Sequence, residues 1–425
     1  LSKLYVDIID GLVSACGYER PPTIKTCSKC RNGKIKRTSC EGCMGQGQWE
    51  DRQPFNPASG TQVADLLHRH MKLPVQALTA TRTPSVDALS LLRMRDLDVI
   101  PELLLTYRQQ QKYIGYLRSW LKWSEPDNKL HPVFTMTIAR GGRLSCIDPN
   151  TQQVKLDWRE DWEADEGGLL IAADYGQIEL RIPAKLSGDP ALVAAMCASS
   201  DTYEGDIHAQ NVEKLFKVSY EDQQEASFNK DLRTRAKNFM FGALYLSEGQ
   251  DVKTVLEQQL LSSGTIDTAI PSVKEIRDSI MTLRNIYSTF FDEWVPAAIE
   301  VCRNRGGWVY TLFGRPSWLP NILSDDPYLR KHAERQCISR MVQGTAADIM
   351  RFAMIDVDHW CKKEGLKLAL SVHDELVVKV PRGDTERLYI HMLSLKHIME
   401  LGQPLAPIPL VVDVGAGRTW KECYK

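Results

Sequence analysis

The sequence predicts a mixed α/β (α+β) protein whose chemistry sits on a small β-hairpin within a largely helical chain. Three observations lead there. Residues 368–380, LALSVHDELVVKV, set two short apolar runs either side of one polar tripeptide, which reads as a hairpin. Residues 169–173, LLIAA, form an unbroken apolar run of the kind a buried strand shows, with Asp174 just past its end. Elsewhere apolar residues recur mainly at helical spacing. No run of about 18 apolar residues and no secretory signal is present, so a soluble chain without membrane contact is expected.

The 425 residues allow two or three domains or subdomains. The chain begins with Leu1 rather than Met, so a fragment or processed form of a longer parent is expected. A net charge of −1 selects no partner, but the charge is uneven. Residues 1–130 hold 19 Lys/Arg against 13 Asp/Glu, leaving 34 against 41 in the remainder. A basic arm beside an acidic body suits phosphate binding next to a metal centre. Eleven cysteines, with Cys16, Cys197, Cys302 and Cys361 isolated in apolar surroundings, point to a reducing compartment.

In chain order, residues 2–16 carry Leu4, Ile8, Ile9, Leu12 and Val13 at helical spacing. Residues 20–37 hold seven basic residues and no acid. Cys27-x2-Cys30 and Cys40-x2-Cys43 follow, separated by nine residues and trailed by glycines. Paired CxxC motifs suit a closed tetrahedral Zn²⁺ site, with disulfides or free thiols as the other readings. Helices are predicted over 61–70, 87–97 and 101–123. In the last of these Arg108, Lys112, Arg118 and Lys122 interleave with Tyr107, Tyr113, Tyr116 and Trp120. Such a face can grip a nucleic-acid backbone or simply be solvated. Residues 131–155 are irregular and include Gly141-Gly142-Arg143. Past Arg181 the chain turns helical. Residues 246–272 read as a loose polar insertion, 273–305 as helix, 308–312 as a strand ending in a Gly314 turn, and 336–360 as helix. After the hairpin come a helix near 385–401 and a last strand over 409–414.

Two features carry chemistry. Adjacent carboxylates at the hairpin tip, Asp374 and Glu375, repel unless water or a cation separates them. Alone, His373-Asp374-Glu375 is a solvated turn. If the 169–173 strand lies beside the hairpin, Asp174 and Asp374 can face each other across a pair of Mg²⁺ ions, a centre suited to in-line phosphoryl transfer. The second feature is Arg233, Lys237, Phe241 and Tyr245, which recur every four residues and so share one helix stripe. A core-facing stripe explains the rings but not the cations. Two cations followed by two rings suit a nucleoside triphosphate.

These motifs occur in a recognisable order. DYGQIELR, the R-x3-K-x3-F-x3-Y helix, VQGTAAD and HDE, together with FNP, YRQQQK, GRLSCIDPNTQQ, DIHAQN and TLFGR, resemble family A DNA polymerases, the bacterial DNA polymerase I and phage replicative group. The resemblance runs from about Phe55 to the end. It implies a right-hand fold with an antiparallel palm sheet. Its thumb would be 1–130, with the four-cysteine knuckle inserted at about 20–50, its palm 131–185 and 336–425, and its fingers 186–335.

The resemblance further implies template-directed DNA synthesis with release of pyrophosphate. Two Mg²⁺, replaceable by Mn²⁺, would be held by Asp174, Asp374 and the Tyr175 carbonyl, with Glu375 in support. Arg233, Lys237 and His208 would bind the triphosphate, Lys237 also protonating the leaving pyrophosphate. Phe241 would stack near the sugar and base, Tyr245 would hold the templating position, and Tyr175 and Gln177 would line the nucleotide site. Glu179 would exclude a ribose 2′-hydroxyl. Arg143 and Gln343 would read the minor groove, Gln152 and His373 would touch the two strands, and Arg108 and Lys112 would grip the duplex. The implied partners are primer-template DNA and deoxynucleoside triphosphates, for a monomer in bacterial or phage-infected cytoplasm or an organelle matrix. An accessory protein could dock on the thumb.

Three departures from the family pattern stand out: Leu246 in place of a usual glycine, Met240, and Pro183 inside an expected helix, where it should kink the chain. Two rivals remain. A single-subunit RNA polymerase would carry a small residue in place of Glu179. A catalytically silent DNA-binding protein would be free to lose Asp174, Asp374 or Lys237.

Overall fold

The computed structural model describes residues 2–19, 23–26, 34–35, 38–39, 46, 48–51, 55–79, 81–124, 127–136, 138–199, 202–247, 249–263, 270–381, 383, 385–401 and 404–424. The four cysteines of the CxxC pairs lie outside these residues. The chain divides into two compact units, 1–122 with 257–267, and 123–256 with 268–425.

The first unit is mainly helical. Helix Ser2–Ala15 buries Ile9 and Val13, as its spacing predicts. Short antiparallel strands follow, Thr23–Thr26 with Gln48–Asp51 and Lys34–Ile35 with Thr38–Ser39. Gly60–Ala64 runs into a π-helical turn, Asp65–His70. Helix Ala88–Met94 starts where the Asp87 side chain accepts the Ser90 amide at 2.8 Å. The long helix Val99–Ser124 then packs Ile100 and Leu104 against Leu66, Leu67, Leu91 and Met94.

The second unit is built on a four-stranded antiparallel sheet, in the order Lys367–Val372, Glu375–Val380, Leu169–Tyr175, Val412–Gly417. Leu169–Tyr175 is an inner strand, which is why its sequence is apolar without alternation. It is longer than expected and includes Asp174, whose Cα pairs with Glu375 on one side and Asp413 on the other. The last strand is shifted from its predicted position: Pro409 offers no amide to the ladder, and pairing starts at Val412. The core of this unit joins Ile171, Ala173, Leu376, Val378 and Val412 to the helices Ile178–Ser187, Lys230–Leu244, Pro327–Glu364 and Thr385–Glu400.

Several helices differ from expectation. Residues 249–263 are a helix rather than a loose insertion; Val252 and Leu256, four apart, are its buried face. Helix Pro327–Glu364 begins nine residues before the predicted 336, because Asp326 caps it and Pro327 occupies its first position. It ends at Gly365 in the left-handed conformation, φ 72°. The predicted 273–305 helix is three segments, with a π-helical stretch Thr289–Trp294 between Val273–Ile286 and Val295–Asn304. Helix Ile178–Ser187 continues through Pro183, whose carbonyl accepts the Ser187 hydroxyl at 2.7 Å. Cys302 and Cys361 are buried as their surroundings suggest, but Cys16 and Cys197 are exposed. Among the described residues no helix is long and apolar enough to cross a membrane.

Candidate active site

Backbone pairing places the acidic residues. The tip of the hairpin is the two-residue turn His373-Asp374, with His373 at φ 55°. The Tyr175 amide donates to the Asp374 carbonyl at 3.1 Å, so Asp174 and Asp374 meet at the same end of neighbouring strands. Asp413 faces Asp174 from the opposite neighbour. Enclosure, then the Glu375, Asp374 and Asp413 carboxylates, push Asp174 up to about 7, although its side chain still reaches solvent. Burial also raises Asp374, with Arg143 opposing. Carboxylates gathered in excess over the nearby Arg143 and Arg159 are the arrangement a divalent cation relieves. Two carboxylates and a carbonyl match Mg²⁺, which keeps several waters and takes few protein ligands. Among the described residues no closed cluster of three or more His, Cys, Asp or Glu side chains is arranged for a metal.

Glu375 is placed differently. It is 4% exposed, and its oxygens accept from Arg159 Nη1 at 3.2 Å, Trp420 Nε1 at 2.9 Å and the Tyr424 hydroxyl. Tyr175 turns its ring into the core, where its hydroxyl donates to the Met399 carbonyl at 2.7 Å, leaving only its backbone to the site. Gln177 adopts φ 55° and starts the next helix, and its Oε1 is buried without a partner among the described residues. Arg181 fixes this corner from behind. Its guanidinium donates to the Gly176, Met196 and Pro409 carbonyls at 2.8, 2.7 and 2.9 Å.

Glu179 lies between two donors. Arg143 Nη2 bonds one of its oxygens and the Tyr245 hydroxyl the other, at 2.6 Å. Arg143 also approaches Asp374 at 3.4 Å, and Gln343 bonds the same tyrosine hydroxyl. A chain of contacts thus runs from the acidic tip through Arg143 and Glu179 to the end of helix Lys230–Leu244. Arg143 is carried by the Gly141-Gly142 turn. Gly142 has φ 86°, and a Cβ there would run into the Arg315 guanidinium. Arg315 itself bonds Asp348 at 2.6 Å and the Gly344 carbonyl at 2.9 Å, so the GRLS, TLFGR and VQGTAAD motifs meet at one arginine.

Arg233, Lys237 and Phe241 lie four apart within helix Lys230–Leu244, and Tyr245 is its cap residue. Arg233 and Lys237 are exposed, Phe241 and Tyr245 half-buried. Arg233 pairs with Asp206, the cap of helix Ile207–Phe216, at 2.7 Å. His208 is buried, 6.5 Å from the Phe241 ring centre, and burial, then Lys237 and Arg233, pull its pKa down to about 4. In the ligand-free chain it is therefore a neutral hydrogen-bonding ring. Gln152 donates to the Ser371 carbonyl at 3.2 Å, beside the hairpin, and His373 is exposed at the tip. In the first unit Arg108 turns inward and donates to the Val86 carbonyl, whereas Lys112 is exposed with its ammonium 5.9 Å from the Tyr116 ring centre. Sequence reasoning missed Arg159, Trp420, Tyr424, Asp413 and Arg181. An acid within an apolar strand was a readable signal for Asp413; Trp420, Tyr424 and Arg159 act across 45, 49 and 216 residues and Arg181 acts on backbone carbonyls, so they left no local pattern.

Comparison with known proteins gives one consistent picture. The model of DNA polymerase family A matches residues 41–422. DNA polymerase I of Pseudomonas aeruginosa is 31% identical over 388 residues, covering 88% of this chain and 39% of that protein. The thermostable DNA polymerase I of Thermus aquaticus is 34% identical over 383 residues, covering 86% and 42%. The chain thus spans about two fifths of the length of these relatives. Among solved structures, the POL domain of Pol1 from M. smegmatis, in complex with DNA primer-template and dNTP, superposes with a TM-score of 0.75 at 27% identity, covering 88% of this chain and 62% of that one.

Proposed function

Because the chain belongs to DNA polymerase family A, we propose that it is a polymerase module that adds deoxynucleotides to a primer 3′-end under the direction of a template, releasing pyrophosphate. The observation that supports this reading best is the meeting of Asp174 and Asp374 at one end of paired strands, near a helix that carries exposed Arg233 and Lys237 and half-buried Phe241 and Tyr245 along one stripe. Divalent ions, Mg²⁺ or Mn²⁺, held by Asp174, Asp374 and the Tyr175 carbonyl would lower the pKa of the attacking 3′-hydroxyl and take up charge on the leaving pyrophosphate.

The remaining steps fall to side chains. Arg233 and Lys237 neutralise the triphosphate, and neutral His208 adds a hydrogen bond. Lys237 gives a proton to the departing pyrophosphate. Phe241 packs against sugar and base. Glu179, held by Arg143 and Tyr245, fills the space that a ribose 2′-hydroxyl would need. Arg143 and Gln343 then read the minor-groove acceptors common to correct pairs, at the expense of their present bonds. Gln152 and His373 contact the strands, and exposed Lys112 serves the duplex backbone. The partners in this reading are primer-template DNA and deoxynucleoside triphosphates, in the compartment that holds the DNA. For Cys27, Cys30, Cys40 and Cys43 we retain a structural Zn²⁺ site, supported by spacing alone.

Primer extension tests the reading. Purified protein given a primer-template, Mg²⁺ and four deoxynucleotides should extend the primer to the template end and should use ribonucleotides poorly. No extension, or equal use of ribonucleotides, overturns it.

A further inference from the structure

The charge of Glu375 is held by parts of the chain far from it in sequence. Its carboxylate is buried, and three donors occupy it: Arg159 Nη1 at 3.2 Å, Trp420 Nε1 at 2.9 Å and the Tyr424 hydroxyl. The Arg159 guanidinium is itself held between two rings, 3.9 Å from the Trp420 centroid and 5.0 Å from that of Tyr424. Trp420 is fully buried. The two supplying segments are zipped together. The Trp420 amide donates to the Trp162 carbonyl at 2.8 Å, the Ala164 amide to the Arg418 carbonyl at 2.9 Å, and Lys421 pairs with Glu160 at 2.8 Å.

We propose that Arg159, Trp420 and Tyr424 are positioning residues for the acidic centre: they fix the Glu375 carboxylate away from the cleft and, through it, set the hairpin tip that carries Asp374. Glu375 is the first strand residue after the turn, next to Asp374 in sequence and opposite Asp174 in register. A carboxylate that accepts from three donors has little capacity left to swing toward a cation, and a neighbouring guanidinium compensates its charge. The C-terminal segment therefore determines which acids face the cleft. A purely structural ion pair would also explain the burial, but it would not make the metal-binding properties of the tip depend on the Tyr424 hydroxyl or on the shape of the Arg159 head group.

The catalytic arm of the test rests on the polymerase reading; the metal-binding arm does not. Tyr424→Phe removes one donor and keeps the ring. Arg159→Lys keeps the charge but loses the flat fork that fits between the rings. Mn²⁺ binding is read by electron paramagnetic resonance without nucleotide, and kcat and KM by single-nucleotide addition. Both variants should fold, bind Mn²⁺ about fivefold more weakly and lose about tenfold in kcat, with the nucleotide KM within twofold. Glu375→Gln should cost about as much, and combining it with either variant should add less than twofold, because all act through one carboxylate. Wild-type Mn²⁺ affinity in both variants, or losses that multiply with Glu375→Gln, would overturn the proposal. A wild-type chain that binds Mn²⁺ but extends no primer would defeat the polymerase reading and leave the resonance measurement to decide this one.

Discussion

At the scale of single residues, the site is a balance of crowded acids against a few placed cations. Asp174 shows this most clearly. Partial enclosure and three neighbouring carboxylates raise it from 3.8 to about 7 in the metal-free chain, although its side chain reaches solvent. Because the folded value lies above the unfolded one, protonation stabilises the metal-free fold. That contribution is present below about pH 4 and lost as pH rises through about 7. Cation binding requires the carboxylate, so Mg²⁺ should displace a proton near pH 6 and almost none near pH 8. Titration calorimetry in two buffers of different ionisation enthalpy reads this directly. Heats that differ between buffers at pH 6 and converge at pH 8 are expected; equal heats at both would remove Asp174 from the ligand set. Glu179 gives a second residue-scale prediction. Its two oxygens are committed to Arg143 and Tyr245, which hold it in one place. Glu179→Ala should lower the deoxy-over-ribo preference in kcat/KM by about a hundredfold, more than it slows deoxynucleotide addition. An unchanged preference would mean that another group sets sugar choice.

At the scale of elements, the end of helix Lys230–Leu244 carries an unusual feature. The Ser247 amide donates to the Gly242 carbonyl at 2.8 Å and the Leu246 amide to Ala243 at 2.9 Å, the two bonds of a Schellman cap. The residue between cap and exit is Leu246, at φ 54°, where glycine is the usual choice. Its side chain packs on the core, which offsets part of the cost of a left-handed leucine, about 1 kcal/mol. Leu246→Gly should therefore change stability by no more than about 1 kcal/mol while freeing the end of the helix that carries Tyr245. Stopped-flow fluorescence of nucleotide-induced motion should show a faster change in the variant; a loss of several kcal/mol in chemical denaturation would show that leucine packing, not backbone conformation, governs this cap. Arg181 serves the neighbouring element in a simpler way, donating to three carbonyls behind the Asp174 strand.

At the scale of the whole molecule, what could be read from sequence was local. Period and turn chemistry located the hairpin, the inner strand and the four-residue stripe, and the pairing of Asp174 with the hairpin tip follows from strand adjacency alone. Contacts that bridge distant segments were not readable: Trp420 and Tyr424 reach Glu375 across 45 and 49 residues, and Arg159 reaches it across 216. Helix Gly249–Ser263 was hidden because, among its described residues, the apolar ones on its buried face are Val252 and Leu256, and the polar Glu257 shares that face. The first turns of Pro327–Glu364 were hidden for the same reason, since Tyr328, Leu329 and their neighbours are exposed. The cysteine pairs yield a prediction from spacing: elemental analysis of protein purified without chelator should find one zinc per chain, and Cys40→Ser should lose it. Zinc-free, well-folded protein would end that reading. In the proposed reaction Asp174 and Asp374 together hold the ions on which nucleotide addition depends. Rapid-quench incorporation of one deoxynucleotide at saturating Mg²⁺ tests it most directly, with Asp174→Asn and Asp374→Asn compared with the parent chain. Each should be slower by about a thousandfold or more while primer-template affinity stays within about threefold; incorporation near the parent rate by either variant would contradict the claim.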